Sequence, residues 1–259
     1  MTDIKLVCLD FDGTIMCYDE PEGHLHPEVI AMLDRLSERG IAWCTNSGRN
    51  AEDQSGILKR SVVHGLKHLP RALLCCESLI FEKSDGRYIP SEPWNSWVRV
   101  QMRDVQQTVQ TMLKGELDAV VVRHAAKVYV SDEALAFYVT DADGRADRFH
   151  ADVKKLVTRI QNASLTRNGG WVAILPSATG KGNLLRKYAS LSGYRPEEVL
   201  AIGDHWNDIS MLDGSSVRHV GCPADAMPEV LETVRKAGGI VASAKGPSGT
   251  VEIIEHHLE

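Results

Sequence analysis

Residues 4–14 read IKLVCLDFDGT, a run of apolar residues that stops at two carboxylates, Asp10 and Asp12, followed at once by Gly13 and Thr14. A continuous apolar run, with no alternation of polar and apolar positions, is how a strand buried on both faces looks. Further runs of the same kind follow: IAWCT (41–45), RALLCC (71–76), EVLAIG (198–203), VRHVGC (217–222) and GIVAS (239–243). Between several of them the spacing turns helical. In PEVIAMLDRLSERG (27–40), Pro27 stands at a first helical position, Ile30, Leu33 and Leu36 share one stripe, and Gly40 is a stop. Strand alternating with helix predicts an α/β fold, a doubly wound, Rossmann-like parallel sheet.

The alternation breaks between about residues 82 and 176. There the order becomes a long helix-like segment (about 94–113), strand-like runs DAVVVR (118–123), AKVYVS (126–131) and LAFYVT (135–140), another helix (about 146–161) and further strands. Turn-rich stretches flank this region, EKSDGRYIPSEP (82–93) before it and LPSATGKG (175–182) after it. With 259 residues, against a prior of about 150 per domain, the pattern predicts a core domain in two parts, 1–82 and 176–259, interrupted by an inserted α/β cap domain, 83–175. Trp94, Trp97, Val98 and Met102 have helical spacing and are expected to form the inserted domain's own core.

Composition narrows the function. The chain is 43% hydrophobic and 25% charged, as a globular protein is, with a formal charge of −6 and a pI near 5.9. No cluster of Lys and Arg interleaved with aromatics appears, so a nucleic acid polymer is not expected as a partner. The longest apolar runs, such as AVVV at 119–122, fall far short of the roughly 20 residues that span a bilayer. No basic segment leads into a signal-type apolar stretch, so no membrane association and a cytoplasmic location are expected. The six cysteines form no C-x-x-C pair, and four lie in strand-like runs, where thiols serve as small hydrophobes.

In open parallel sheets, ligands bind beyond the carboxyl ends of the strands. The residues at those ends are Asp10 and Asp12, TNSGR (45–49) and GDHWND (203–208). Four carboxylates converging on one edge would repel each other unless a cation neutralised them. Oxygen-only ligation suits Mg²⁺, which shares its shell with waters and a substrate phosphate. Competing motifs fail on spacing: an EF-hand needs Gly where Ile15 stands, and a Walker loop needs Ser or Thr where Gly182 stands. A carboxylate can also act as the nucleophile in phosphoryl transfer, with a neighbour two residues on exchanging protons with the leaving oxygen and with water. Asp10 and Asp12 match those roles in order.

DFDGT, SGR, KG and GDHWNDISML, taken together, resemble the four motifs of the haloacid dehalogenase superfamily. Their order and the large insertion after the second motif resemble its type IIB, Cof-like sugar-phosphatase branch, which also includes sucrose-phosphate phosphatase and phosphomannomutase. The resemblance covers residues 1 to about 80 and about 171 to 259. It implies Asp10 as nucleophile, Asp12 as general acid/base, Ser47 as a phosphate donor and Lys181 as the cation steadying nucleophile and phosphate. It further implies Mg²⁺ held by Asp10, the Asp12 carbonyl, Asp204 and Asp208, with Asn207 reaching the phosphate. Gly48 and Gly182 are read as letting backbone N–H groups approach an anion, at a helix start after Gly180. The branch usually carries Thr-Gly-Arg in its second motif; TNSGR offers both Thr45 and Ser47, and Ser47 is preferred for its adjacency to Gly48. Cys222 and Pro223 also stand where relatives commonly carry small or amide residues.

The expected function is a Mg²⁺-dependent phosphomonoesterase acting on a small phosphorylated metabolite, a sugar phosphate by resemblance, through an aspartyl phosphate. The alternatives are a phosphomutase and a non-enzymatic phosphoacceptor domain. His205 and Trp206 are read as packing residues within the loop, and His24 and His26 as capping or surface residues. No spacing selects one cation among Arg123, His124, Arg145, Arg148 and Arg167.

Overall fold

The computed structural model describes residues 4–17, 23–140 and 143–258. It divides into two compact units, Met1–Ser91 with Lys181–Glu259, and Glu92–Gly180.

The first unit begins with β1 (Leu6–Leu9), α1 (Pro27–Glu38), β2 (Ala42–Asn46), α2 (Ala51–Val63), β3 (Ala72–Cys75), β4 (Leu79–Ser84) and β5 (Arg87–Pro90). All four β1 side chains are buried, because β1 pairs in parallel with a strand on each side. A central strand with both faces covered has no reason to alternate. Pro27 opens α1 at its first turn, and Gly40, at φ 77°, ends it. His26 occupies the N-cap position of α1 without a side-chain cap bond; His24 is buried and stacks on His64 at 3.8 Å. Asn50 caps α2, its side chain accepting from the Asp53 N–H.

The second unit holds α3 (Trp94–Met112), α4 (Lys114–His124), β6 (Lys127–Val130), β7 (Leu135–Tyr138), α5 (Arg145–Val157), β8 (Ala163–Asn168) and β9 (Trp171–Pro176). Its four strands form an antiparallel sheet in the order β6-β7-β9-β8. Val105, Val109, Phe137, Phe149, Val172 and Ile174 form its core with Met102. The DAVVVR run, expected as a strand, is the last part of α4. Its three valines favour strand locally. Leu117, Val120 and His124, however, are buried at helical intervals, so tertiary burial overrides propensity. The expected stripe on α3 is half right: Val98 and Met102 are buried, whereas Trp97 is 39% exposed and stacks obliquely on Trp94 at 5.0 Å. The helix expected to 161 stops at Val157.

The chain then returns to the first unit with α6 (Lys181–Leu191), β10 (Val199–Ile202), α7 (Ile209–Leu212), β11 (His219–Cys222), α8 (Pro228–Lys236), β12 (Ile240–Val241) and α9 (Gly246–Leu258). The sheet is eight-stranded, ordered β12-β11-β10-β1-β2-β3-β4-β5. It is parallel from β12 to β3, and antiparallel through β4 and β5. That hairpin extends the core sheet, so the boundary expected at residue 83 falls after Ser91; the second boundary, expected at 176, falls at Lys181, beyond the turn that ends β9. Cys8, Cys44, Cys75 and Cys222 are buried free thiols. No helix among the described residues is long and apolar enough to cross a membrane.

Candidate active site

Because β1 and β10 are adjacent and parallel, their carboxyl ends deliver Asp10 and the loop after Ile202 side by side. The Asp10 N–H extends the ladder by one bond, donating to the Ile202 carbonyl at 3.1 Å. That holds the Asp10 backbone rigid, and its side chain is 2% exposed. Three residues on, Gly13 takes φ 76°, which an L side chain adopts with strain. The loop after β10 closes on itself: Asp208 Oδ2 accepts from the N–H groups of Asp204 (3.0 Å) and His205 (2.9 Å). A Cβ at position 203 would stand 2.4 Å from Asp208 Cγ, so only glycine permits this closure.

Lys181, the first residue of α6, enters from the second pass of the chain and is fully buried. Its Nζ lies 2.7 Å from Asp10 Oδ1 and 2.6 Å from Asp208 Oδ1. Asp10, Asp204 and Asp208 each offer an oxygen within 4.8 Å of the others. Burial pushes the Asp10 carboxyl well above the usual carboxylate range; Asp208 and Asp204 push it further, and Lys181 only partly opposes them. Burial disfavours a charged Lys181, yet Asp10, Asp208 and Glu77 outweigh it and raise its pKa. One ammonium among three buried carboxylates leaves excess negative charge. An oxygen-only donor set of this kind fits a hard divalent cation.

Asp12 is set apart from that trio. Its side chain is 25% exposed and grips Arg49 in a bidentate ion pair, Nη2–Oδ1 at 2.7 Å and Nε–Oδ2 at 2.9 Å. The hydrogen bond to Asp12 is the chief cause that raises the pKa of Arg49. The two hydroxyls of TNSGR have different partners. Thr45 Oγ1, fully buried, donates to Gln54 Oε1 at 2.6 Å, whereas Ser47 Oγ accepts from the Arg49 N–H at 3.2 Å. Asn207 Nδ2 donates to Glu77 Oε1 at 2.9 Å. His205 contributes its backbone N–H to the loop, and its ring packs edge-on to Trp206 at 4.6 Å.

The glycines need one correction. Gly182 was expected to let its backbone N–H approach an anion, but that N–H donates to Ser210 Oγ at 3.0 Å, and a Cβ there would lie 2.0 Å from the Ser210 carbonyl oxygen, so it is glycine because α6 abuts the backbone of α7. A Cβ at Gly48 would meet only Glu77 Oε1, at 3.7 Å, which is ordinary contact.

Several residues of the site had gone unread. Thr14 Oγ1 donates to Asp204 Oδ1 at 3.0 Å, and Thr250 Oγ1 of α9 donates to the Thr14 carbonyl at 2.7 Å, so the last helix buttresses the site from behind. Thr14 and Arg49 lay inside the quoted motifs DFDGT and SGR; Glu77 and Thr250 carried no spacing signal. Glu77 sits in the β3–β4 turn, where both it (φ 54°) and Cys76 (φ 52°) are left-handed. Non-glycine residues hold that region only where surroundings impose it. Here the Cys76 and Glu77 N–H groups donate to the carbonyls of Arg49 (3.1 Å) and Ser47 (3.2 Å).

Against known proteins, the family described as haloacid dehalogenase-like hydrolase matches residues 76–236. Among curated proteins, phosphoglycolate phosphatase of Aeropyrum pernix is 36% identical over 85 residues, 33% of this chain and 33% of that protein. The matched segments span a third or less of the curated relatives' lengths. Among solved structures, the sucrose-phosphatase of Synechocystis sp., in complex with sucrose and phosphate, aligns with a TM-score of 0.71 at 20% identity, covering 99% of this chain and 98% of that one. A subclass IIB sugar phosphatase of the same superfamily aligns with a TM-score of 0.66 at 13% identity, over 98% of both chains.

Proposed function

Since the chain belongs to the haloacid dehalogenase-like hydrolase family, we propose that it is a Mg²⁺-dependent phosphatase that hydrolyses a small phosphorylated metabolite, a sugar phosphate in class, through an aspartyl phosphate on Asp10. The observation that carries this reading is the buried Lys181 ammonium between Asp10 and Asp208, with Asp204 beside them. The sugar phosphatases among the structural neighbours support the substrate class.

In this account Lys181 binds Asp10 Oδ1 and fixes the carboxylate plane; Oδ2 is the oxygen that attacks phosphorus. The bond from phosphorus to the leaving alcohol breaks as the new bond to Oδ2 forms. Asp12, once its ion pair with Arg49 opens and it takes up a proton from solvent, gives that proton to the leaving oxygen and then, as a carboxylate, takes one from the water that attacks the acyl phosphate, which restores the acid for the next turnover. That attack frees inorganic phosphate and regenerates Asp10. Ser47 Oγ and the second N–H of the Asn207 amide donate to the phosphate oxygens, aided by the Gly48 backbone N–H. Thr45 takes no such role in this account, its hydroxyl being bonded to Gln54. Mg²⁺, when bound by Asp10, Asp204, Asp208 and the Asp12 carbonyl, would offset the carboxylate charge and that of the phosphate.

Phosphate monoesters need accelerations approaching about 10²¹-fold, so nucleophile, lysine, acid and cation must act together. The test is phosphate release from a panel of sugar phosphates with Mg²⁺. Turnover beyond one phosphate per chain is expected, lost in EDTA and in Asp10→Asn. No release from any member, or unchanged release by Asp10→Asn, would refute the proposal.

A further inference from the structure

The second unit contains a cavity of about 450 Å³ lined by Arg123, His124, Arg145, Arg148, Asp152 and Lys155. That volume suits a small ligand. Positions 145, 148, 152 and 155 recur at intervals of three and four along α5, so they form one stripe; Arg123 and His124 come from the last turn of α4. Asp152 is the organiser. Its Oδ2 lies 3.1 Å from Nε2 of the buried His124 and 3.3 Å from Arg123 Nη1, and its Oδ1 lies 3.4 Å from Lys155 Nζ. Arg148 Nη1 donates to the Asp143 carbonyl at 2.9 Å.

The cavity thus gathers four permanent cations around one carboxylate, in a chain whose formal charge is −6. The arrangement opposes helix physics twice. Arg145 and Arg148 are like charges three residues apart, and they sit at the positively polarised start of α5, where Gly144 supplies no side-chain cap. The acidic residue of that first turn, Asp147, is engaged by Arg167. A local arrangement unfavourable for the free protein marks a site kept for another reason. These cations line one cavity of about 450 Å³, a size that fits a small ligand rather than a polymer.

We propose that this cavity, built entirely within the second unit, binds a small anion carrying two or more anionic groups, of the pyrophosphate, bisphosphate or polycarboxylate kind. Charge complementarity selects it: each anionic group can take a guanidinium fork, the geometry at which arginine excels.

The test is isothermal titration calorimetry of the full chain, stripped of metal and then dialysed free of chelator so that the uncompensated carboxylates of the first unit repel anions, with inorganic pyrophosphate and citrate as probes and orthophosphate as control. One saturable site is expected for pyrophosphate or citrate, at least tenfold weaker for orthophosphate. Tighter pyrophosphate binding points to a phosphorylated ligand, tighter citrate binding to a carboxylate one. Combined Arg145→Ala and Arg148→Ala should weaken the site at least tenfold and leave the melting temperature equal or higher, and Ala151→Glu at the exposed wall should weaken it as much, with phosphate release unchanged in both. Absence of saturable binding for both probes at millimolar concentration, binding that survives both sets of substitutions, or tighter binding of a short single-stranded RNA would overturn the proposal.

Discussion

Replacing Asp10 with asparagine should abolish turnover and, in the metal-free protein, stabilise the fold. The substitution keeps shape and one acceptor for Lys181 but removes a buried charge. At an effective dielectric of about 20, the attraction between Asp10 and Lys181 across 2.7 Å is worth about 6 kcal/mol. Each repulsion from Asp204 and Asp208, across at most 4.8 Å, is worth at least about 3.5 kcal/mol. Two repulsions exceed one attraction by about 1 kcal/mol, and relief of desolvation acts in the same direction. The sign carries a pH dependence. Asp10 has a folded pKa raised above its unfolded value, so between those values the native state holds more protons, and stability falls as pH rises. The advantage of Asp10→Asn is therefore absent in acid and complete above the folded pKa. Thermal melts in EDTA across this range are the assay, with a rise of about 2–4 °C per kcal/mol for a protein of this size. With Mg²⁺ the order reverses, since wild type alone keeps the full ligand set, and saturation at a hundredfold over Kd adds about 2.7 kcal/mol. A lower melting temperature for Asp10→Asn in EDTA at alkaline pH would refute the electrostatic reasoning.

Other perturbations separate roles that overlap in the sequence. Lys181→Met leaves buried carboxylates uncompensated and should cost about 3–5 kcal/mol in EDTA, read from urea denaturation. Ser47→Ala should lower kcat/KM at least tenfold with melting unchanged, whereas Thr45→Val, which orphans Gln54, should cost about 1–3 kcal/mol of stability and leave the kinetic constants in place. Gly182→Ala should destabilise by about 3 kcal/mol because the Ser210 carbonyl cannot give way. Gly48→Ala should melt like wild type, so that any loss of activity reports the approach of phosphate to its backbone. Arg49→Ala removes the ion pair that Asp12 must leave before it acts, so kcat should not fall; a loss of about tenfold or more would show that Asp12 works while held by Arg49.

The parallel core was legible because its strands are buried on both faces, so that IKLVCL, IAWCT and EVLAIG read as continuous apolar runs separated by helical spacing. The convergence of Asp10 with the Asp204–Asp208 loop was legible because carboxyl ends of neighbouring parallel strands lie side by side; Lys181, the first residue of α6, was indicated only by the resemblance. Contacts that depend on side-chain direction were not. Nothing in a linear sequence says that Thr45 turns inward to Gln54, that Thr250 reaches Thr14, or that Glu77, in a strained turn after β3, faces Asn207. The valines of α4 misled because β-branched propensity is local while the burial of Val120 and Leu117 is not. Gly182 misled because close backbone packing and anion approach favour the same residue.

The most direct test of the central claim is chemical trapping of the intermediate. Wild-type protein turning over a sugar phosphate with Mg²⁺ is quenched in acid, reduced with borohydride and digested for peptide mass spectrometry. The account predicts homoserine at position 10, formed from the acyl phosphate, in samples with substrate and in no others. Phosphate release with aspartate intact at position 10, or with the reduced residue at Asp12, Asp204 or Asp208 instead, would contradict it.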